Sequence, residues 1–418
     1  MQGKRVVITG LGTVNALGTN AAELAEALQQ GRCGIGPVSL FDTGPFRTHT
    51  GAQIRNFDPG ALISREYPLK RLSRADRMAL AATLEALRDA GLYPLPEELC
   101  LDTGVIVGGG SGGKLEAETF FDEYLEKGGP RAHFSRLASL SCASSADAIA
   151  TKLKLWGPKT TLMTACSAGS TAVGLARDLI RYGAARIMIA GGVEPMCRTT
   201  YASFNALKAV DPDPCKPFDR ERQGLSLGEA AAILILEALQ DARRRGAKIY
   251  GEVLGYGVTC DAHHMTAPDI EASGAVRAMK AALADAGLEP GQVDYINAHG
   301  TGTPANDGTE TRAIRSVFGQ QAYTIPVSST KSMTGHTLGA SGALEAVISL
   351  LAIDRGFIPP TISYQSPDPD CDLDYVTEGA RFIAPDIVLS NSFAFGGNNT
   401  TVIFGRYREE GREKGADS

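Results

Sequence analysis

Apolar positions along the chain keep two rhythms in alternation. Val6-Val7-Ile8-Thr9-Gly10-Leu11-Gly12 opens with a strand-like run, and Thr160-Thr161-Leu162-Met163-Thr164 reads as a short buried strand. From Ala172 onward the spacing changes to Ala172, Ala176, Leu179 and Val173, Ala176, Ile180, the stripe of a helix. Gln292-Val293-Asp294-Tyr295-Ile296 and Ile325-Pro326-Val327-Ser328-Ser329 are again strand-like and each runs into a Gly/Thr-rich turn, after which Leu344, Val347, Ile348 and Leu351 restore the helical period. Strands alternating with helices across glycine turns predict an α/β fold.

The alternation also repeats. Ala86-Leu87-Arg88-Asp89-Ala90-Gly91-Leu92 recurs as Ala282-Leu283-Ala284-Asp285-Ala286-Gly287-Leu288 in the second half of the chain. Each copy precedes a strand-like run and a Gly-rich loop, Gly108 to Gly113 in one case and His299-Gly300-Thr301-Gly302-Thr303 in the other. The segments flanking Cys166 likewise parallel those flanking Lys331. A helix end with Gly at C′ is common by itself, but the repeated order of helix, strand, loop and helix predicts a duplicated architecture.

Composition narrows the class. The 48 glycines and 43% hydrophobic residues of the 418-residue chain suit one large layered unit with many tight turns. The chain enters a strand at about Arg5 without an apolar leader and has no run of about eighteen apolar residues, so a cytoplasmic protein with no membrane partner is expected. Eight scattered Cys without a C-x-x-C pair predict reduced thiols rather than a disulfide framework or a zinc site. A net charge of −6 disfavours nucleic acid as a partner.

Candidate chemistry centres on Cys166, in Thr164-Ala165-Cys166-Ser167-Ala168-Gly169-Ser170, where strand gives way to helix. Unpaired N–H groups and the positive end of the helix dipole at such a turn favour thiolate over thiol, although a free Cys also serves as a small buried hydrophobe. Of only six His in the chain, His299 and His336 lie, with Lys331, in Gly/Thr-rich turns just beyond strands, where rigid elements present functional loops. A Cys, two His and a Lys so placed form a nucleophilic constellation if the fold unites them.

Three other segments invite a functional reading. Gly108 to Gly113 lacks the spacing of a nucleotide-binding loop. The adjacent His263 and His264 diverge and have no third ligand at suitable spacing, so no metal is expected there. Lys70, Arg71, Arg74 and Arg77, three to four residues apart, stack on one face of a helix running to Ala90, either as a solvated face or as a patch for an acidic partner.

Taken in order, the Cys166 loop, His299-Gly300-Thr301-Gly302-Thr303, Lys331 with His336, and Phe395-Gly396-Gly397 resemble the β-ketoacyl-acyl carrier protein synthases, the condensing enzymes of the thiolase superfamily. The likeness runs from Val6 to Gly397. It implies the thiolase fold, five layers in α-β-α-β-α order, with one half over 1–250, a second over 251–410 and a flexible tail over 411–418; the charged stretch from Arg406 onward is expected to fray. It implies decarboxylative condensation of a malonyl-carrier with an acyl chain held on Cys166. The backbone N–H groups of Cys166 and Phe395 are then the oxyanion hole, neutral His299 and His336 stabilise the enolate, Lys331 supports them, Glu310 anchors from behind, and Thr301 and Thr303 hold pantetheine. An acyl pocket and gate are expected at Ser111, Phe134, Phe204, Phe393 and Phe395, and carrier-protein docking at Lys70, Arg71, Arg74 and Lys208.

The resemblance implies no bound cofactor or metal, because substrates ride on the phosphopantetheine of acyl carrier protein. It implies a homodimer, or a heterodimer with a related subunit. Two His, rather than His and Asn, mark the elongating kind. An intact Cys166 separates the chain from the non-catalytic chain-length-factor subunits, which are the alternative reading. Ala394 and Ala230 stand where Gly is usual, and Leu137 to Ser145 is rich in small residues, so fatty-acid and polyketide or polyene elongation both stay open.

Overall fold

The computed structural model describes residues 4–63, 69 and 71–409. Ten strands carry the fold: β1 (Val6–Asn15), β2 (Thr103–Gly108), β3 (Lys159–Leu162), β4 (Ile187–Glu194), β5 (Ala230–Ala238), β6 (Gly251–Cys260), β7 (Tyr295–Asn297), β8 (Val327–Ser328), β9 (Ile387–Ala394) and β10 (Asn398–Gly405). The principal helices are α1 (Arg74–Asp89), α2 (Lys114–Lys127), α3 (Ser144–Leu153), α4 (Ala168–Arg181), α5 (Arg198–Ala206), α6 (Ser273–Ala286), α7 (Pro304–Phe318) and α8 (Ser341–Arg355).

The strands lie in the order β8-β7-β9-β10-β6-β1-β5-β4-β2-β3. In the first five, β1 pairs β5 and β5 pairs β4 antiparallel, while β4 pairs β2 and β2 pairs β3 in parallel. The last five repeat this strand for strand: β6·β10 and β10·β9 are antiparallel, β9·β7 and β7·β8 parallel. The repeated heptads end α1 and α6, which pack on equivalent strand pairs, β1 with β5 and β6 with β10.

Among the described residues, the two sets of strands join where Val7 and Ile8 meet Glu252 and Gly251. Elsewhere α4 and α8 lie between them, each touching strands of both sets and each other. With α1 and α3 outside one set and α6 and α7 outside the other, the layers run α-β-α-β-α. A helix in the middle layer must be apolar all round, and α8 is buried from Ser341 to Ile353. Burying Leu344, Val347, Ile348 and Leu351 stabilises this layer by about 1.5–3 kcal/mol each. The two central helices approach closely because a Cβ on Gly169 would lie 2.6 Å from the backbone N of Ala343. That contact brings the start of α4, and with it Cys166, against the start of α8.

Local expectations are modified in three places. The strand before Cys166 is the edge strand β3, half-exposed rather than buried. Helix α1 begins at Arg74, where Ser73 and Asp76 form a capping box, so Arg71 precedes the helix at φ +70° and shares no face with Arg74 and Arg77. Arg406 does not fray: its guanidinium donates to Asp386 at 2.8 Å and to the Ile353 carbonyl at 2.8 Å. Lys70 and the tail over 411–418 lie outside the described residues.

Candidate active site

Cys166 occupies a single 3₁₀ turn, Ala165–Ser167, between β3 and α4. The turn begins with Ala165 at φ +50°, a left-handed residue that swings the thiol toward the second half of the molecule. There β8 leads through the turn Lys331–Thr334 to His336, whose own N–H donates to the Ser226 carbonyl at 2.6 Å and whose carbonyl accepts from Gly228 at 2.9 Å. These bonds aim the ring at Cys166, with Nε2 3.1 Å from Sγ. On the other edge of the ring, Nδ1 accepts the Leu338 N–H at 3.2 Å and lies 2.8 Å from Ser341 Oγ. A nitrogen that accepts a backbone N–H is bare, so the proton is on Nε2, facing the sulfur.

His299 follows β7 and is fixed through its backbone. Its N–H and that of Gly300 donate to the two carboxylate oxygens of Glu310 on α7, at 2.8 and 2.7 Å. The His299 and His336 rings stand 5.2 Å apart at 84°. One ligating atom from each of Cys166, His299 and His336 lies within 4.8 Å of the others.

The electrostatics follow from burial. Burial drives both imidazoles well below their ordinary range, helped by the Lys331 charge, so each is neutral at pH 7. Lys331 is itself 1% exposed and ion-paired to Glu345 on α8, whose carboxyl burial pushes up to about 7 against the pull of that lysine. The expected resting thiolate is corrected: burial pushes the Cys166 thiol up to about 12, outweighing Lys331 and the Phe395 N–H, which draw it down. The helix dipole at the turn does not reverse this, because desolvating an anion costs more than a partial charge returns.

Cys166, His299 and His336 open on a cavity of about 270 Å³ that Thr301, Thr303, Phe204, Phe393, Phe395 and Lys208 help to line. Phe395 stacks on Phe204 with centroids 5.7 Å apart and planes at 18°. Phe395 begins a turn in which Gly396 and Gly397 take φ of +80° and +71°, whereas Ala394 is extended at φ −121°. An alanine is therefore unstrained at 394 in this conformation, and the left-handed positions fall on glycines. Ala230 sits in register in β5.

Three expected site residues fall elsewhere. Ser111 is buried beside Thr200, their hydroxyls 3.4 Å apart, and does not line the cavity. Phe134 is 60% exposed and packs on Phe120 at 5.0 Å. Arg74 folds inward onto buried Glu229, with nitrogen to oxygen distances of 2.7 and 2.9 Å, and onto the Phe57 ring. It serves as a structural cation. Arg77 likewise turns back toward the Leu69 carbonyl. Arg71 and Lys208 are exposed. His264 Nδ1 accepts the N–H groups of Thr266 and Ala267.

Sequence reasoning missed Glu345, Ser341 and the Leu338 N–H. Glu345 had a signal: a carboxylate within the apolar run of α8 needs a buried cation, and Lys331 precedes it.

Comparison with known proteins places this geometry. Models of the β-ketoacyl synthase N-terminal and C-terminal domains match residues 3–242 and 250–365. The chain is 44% identical over 415 residues to 3-oxoacyl-[acyl-carrier-protein] synthase 2 of Synechocystis, covering 98% of this chain and 99% of that one. Among solved structures, the ishigamide ketosynthase/chain length factor superposes with a TM-score of 0.92 at 40% identity, over 97% of this chain and 100% of the other. A type II polyketide synthase acyl-carrier protein in complex with its ketosynthase bound to the hexaketide matches with a TM-score of 0.88 at 33% identity, over 97% and 100%. A chain whose two halves both match, and whose Cys and two His meet in one cavity, belongs to the β-ketoacyl synthase family.

Proposed function

We propose that the chain is an elongating β-ketoacyl-acyl carrier protein synthase in which Cys166, His299, His336 and Lys331 carry the chemistry. The observation that bears most weight is the placement of Nε2–H of His336 3.1 Å from Cys166 Sγ, with the His299 ring beside it. In the first half-reaction the sulfur attacks the thioester carbonyl of an acyl-carrier, the carbon to pantetheine sulfur bond breaks, and the thiol proton leaves with the pantetheine thiol. The backbone N–H groups of Cys166 and Phe395 receive the oxyanion. Because the resting thiol is neutral, Nε2–H of His336 assists by donating to the sulfur as negative charge grows on it.

In the second half-reaction malonyl-carrier loses CO₂, and the enolate oxygen is held by the ring N–H groups of His299 and His336. The enolate carbon then attacks the acyl group, and the Cys166 sulfur departs. Neutral imidazoles suit this role, since each keeps one ring N–H to donate and adds no buried charge to the site. Lys331, paired with Glu345, lends positive potential, and Glu310 fixes the His299 loop. Thr301 and Thr303, with hydroxyls 2.9 Å apart on the cavity wall, hold the pantetheine arm, while Phe204, Phe393 and Phe395 gate the acyl side. These steps need no resident cofactor. Lys208 and Arg71, together with Lys70, meet the carrier protein.

The carrier partner is supported by the related ketosynthase solved with its acyl-carrier protein, and a dimer by the ketosynthase/chain length factor pair. We place the protein in the cytoplasm; among the described residues no helix is long and apolar enough to cross a membrane. Residues 1–250 and 251–410 are its two thiolase-like halves. Incubating purified protein with acyl-carrier and malonyl-carrier tests the reading: 3-oxoacyl-carrier is expected, and no product with any acyl length would favour a non-catalytic chain-length-factor role.

A further inference from the structure

Glu194 ends β4, is 2% exposed, and has no part in the chemistry above. Its Oε2 accepts the backbone N–H of Gly110 at 2.9 Å and that of Gly339 at 3.1 Å. One carboxylate oxygen thus ties the glycine loop after β2 to the turn that follows His336. The fit is close, since a Cβ on Gly339 would stand 2.6 Å from that oxygen and 2.7 Å from the Cα of Gly109. Next to Gly339, Leu338 sits at φ +47°, a left-handed conformation that a leucine keeps only where its surroundings impose it. In that conformation its N–H reaches Nδ1 of His336 at 3.2 Å.

The second partner of Nδ1, Ser341 Oγ at 2.8 Å, cannot select a tautomer, because a hydroxyl donates to a bare nitrogen and accepts from a protonated one. A backbone N–H only donates. The Leu338 N–H is therefore the group that keeps Nδ1 bare and the proton on Nε2. We propose that Glu194 is a positioning residue: by pinning the turn at Gly339 it holds the Leu338 N–H on Nδ1 and so fixes His336 as the tautomer that donates toward the Cys166 sulfur and an enolate oxygen. In the opposite tautomer Nδ1–H donates to Ser341, and Nε2 offers a lone pair where a donor is needed.

This inference rests on the role given to His336 under Proposed function, so its test includes a reading made without any reaction. Protein labelled with ¹⁵N-histidine has six His, and His336 is assigned by comparison with His336→Gln. Long-range ¹⁵N–¹H spectra then report the tautomer. Parent protein is expected to show Nε2–H. Glu194→Met should shift His336 toward Nδ1–H and slow malonyl decarboxylation by about 100-fold, with acyl transfer onto Cys166 slowed by less than about tenfold. Glu194→Gln, whose amide oxygen still accepts both N–H groups, should keep the parent tautomer and stay within about threefold of parent decarboxylation. Ser341→Ala should keep the parent tautomer as well.

Folded Glu194→Met that retains Nε2–H overturns the proposal. Loss of that tautomer in Ser341→Ala overturns it too, as does a hundredfold fall in decarboxylation by Glu194→Gln; neither change strips a buried N–H of its acceptor, so both remain decisive if the Met variant does not fold. A parent protein that shows Nε2–H yet makes no 3-oxoacyl product defeats the assigned reaction and leaves the tautomer argument standing.

Discussion

Replacing His299 with Ala separates the two half-reactions, and His336→Ala is the comparison. Each ring supplies one donor to a buried site, and removing one such donor lowers turnover by about 10²–10³-fold, or about 2.7–4 kcal/mol of transition-state stabilisation. Malonyl-carrier decarboxylation should fall by that factor in either variant. Acyl transfer should fall less in His299→Ala, because only His336 touches the sulfur. The pH profile adds an independent check. Both imidazoles titrate well below their ordinary range because of burial and Lys331, so neither adds an inflection near pH 6.5 to decarboxylation by parent enzyme, and any step near pH 7 belongs to Glu345 and should vanish in Glu345→Gln. The same shift has a stability sign. Unfolded imidazoles bind protons below about pH 6.5 while the folded ones do not, so stability is full above that pH and declines as pH falls through it. Stopped-flow or ¹⁴CO₂ release measures the first effect and denaturant melts the second. Equal losses in both half-reactions for His299→Ala, or an inflection near pH 6.5 that persists in Glu345→Gln, would refute the reasoning.

Arg74→Ala should destabilise the fold by about 3–5 kcal/mol by stranding buried Glu229, with little change in KM for the carrier; unchanged melts with a raised KM would restore Arg74 as a docking residue. Alkylation of resting Cys166 by iodoacetamide should rise steadily with pH through pH 9, because burial holds the thiol near 12, and a plateau near pH 7 would contradict that burial outweighs Lys331. Condensation should survive exhaustive chelation, although Cys166, His299 and His336 form a set that zinc also accepts; activity lost to chelator and restored by one metal ion per chain would overturn the metal-free mechanism. Ala394→Gly should widen acyl-chain acceptance or speed loading by freeing the backbone beside Phe395, and an identical chain profile would mark Ala394 as a packing variant.

Much of this was legible in the sequence. The Ala86 and Ala282 heptads end helices at equivalent places because each terminates a helix that feeds an equivalent strand, so local punctuation exposed a global duplication. Cys166, His299, Lys331 and His336 stood out because polar, reactive side chains in glycine turns after apolar strands have few structural reasons to be there. What stayed illegible depends on partners distant in sequence. In the sequence Arg74 belongs to a basic stripe and only the fold puts Glu229 beneath it, and nothing local marks Glu194 as the residue that meets both Gly110 and Gly339. The protonation of the resting thiol is hidden for the same reason. A helix start can be read locally, whereas the burial that opposes it comes from the whole fold.

The central claim is that Cys166 carries the acyl chain between the two half-reactions. Intact-protein and peptide mass spectrometry of enzyme mixed with acyl-carrier should show one acyl adduct on the peptide containing Cys166, which disappears when malonyl-carrier is added as 3-oxoacyl-carrier forms, and Cys166→Ala should show neither adduct nor product. Condensation by Cys166→Ala, or an adduct on another residue that turns over with malonyl-carrier, would contradict it.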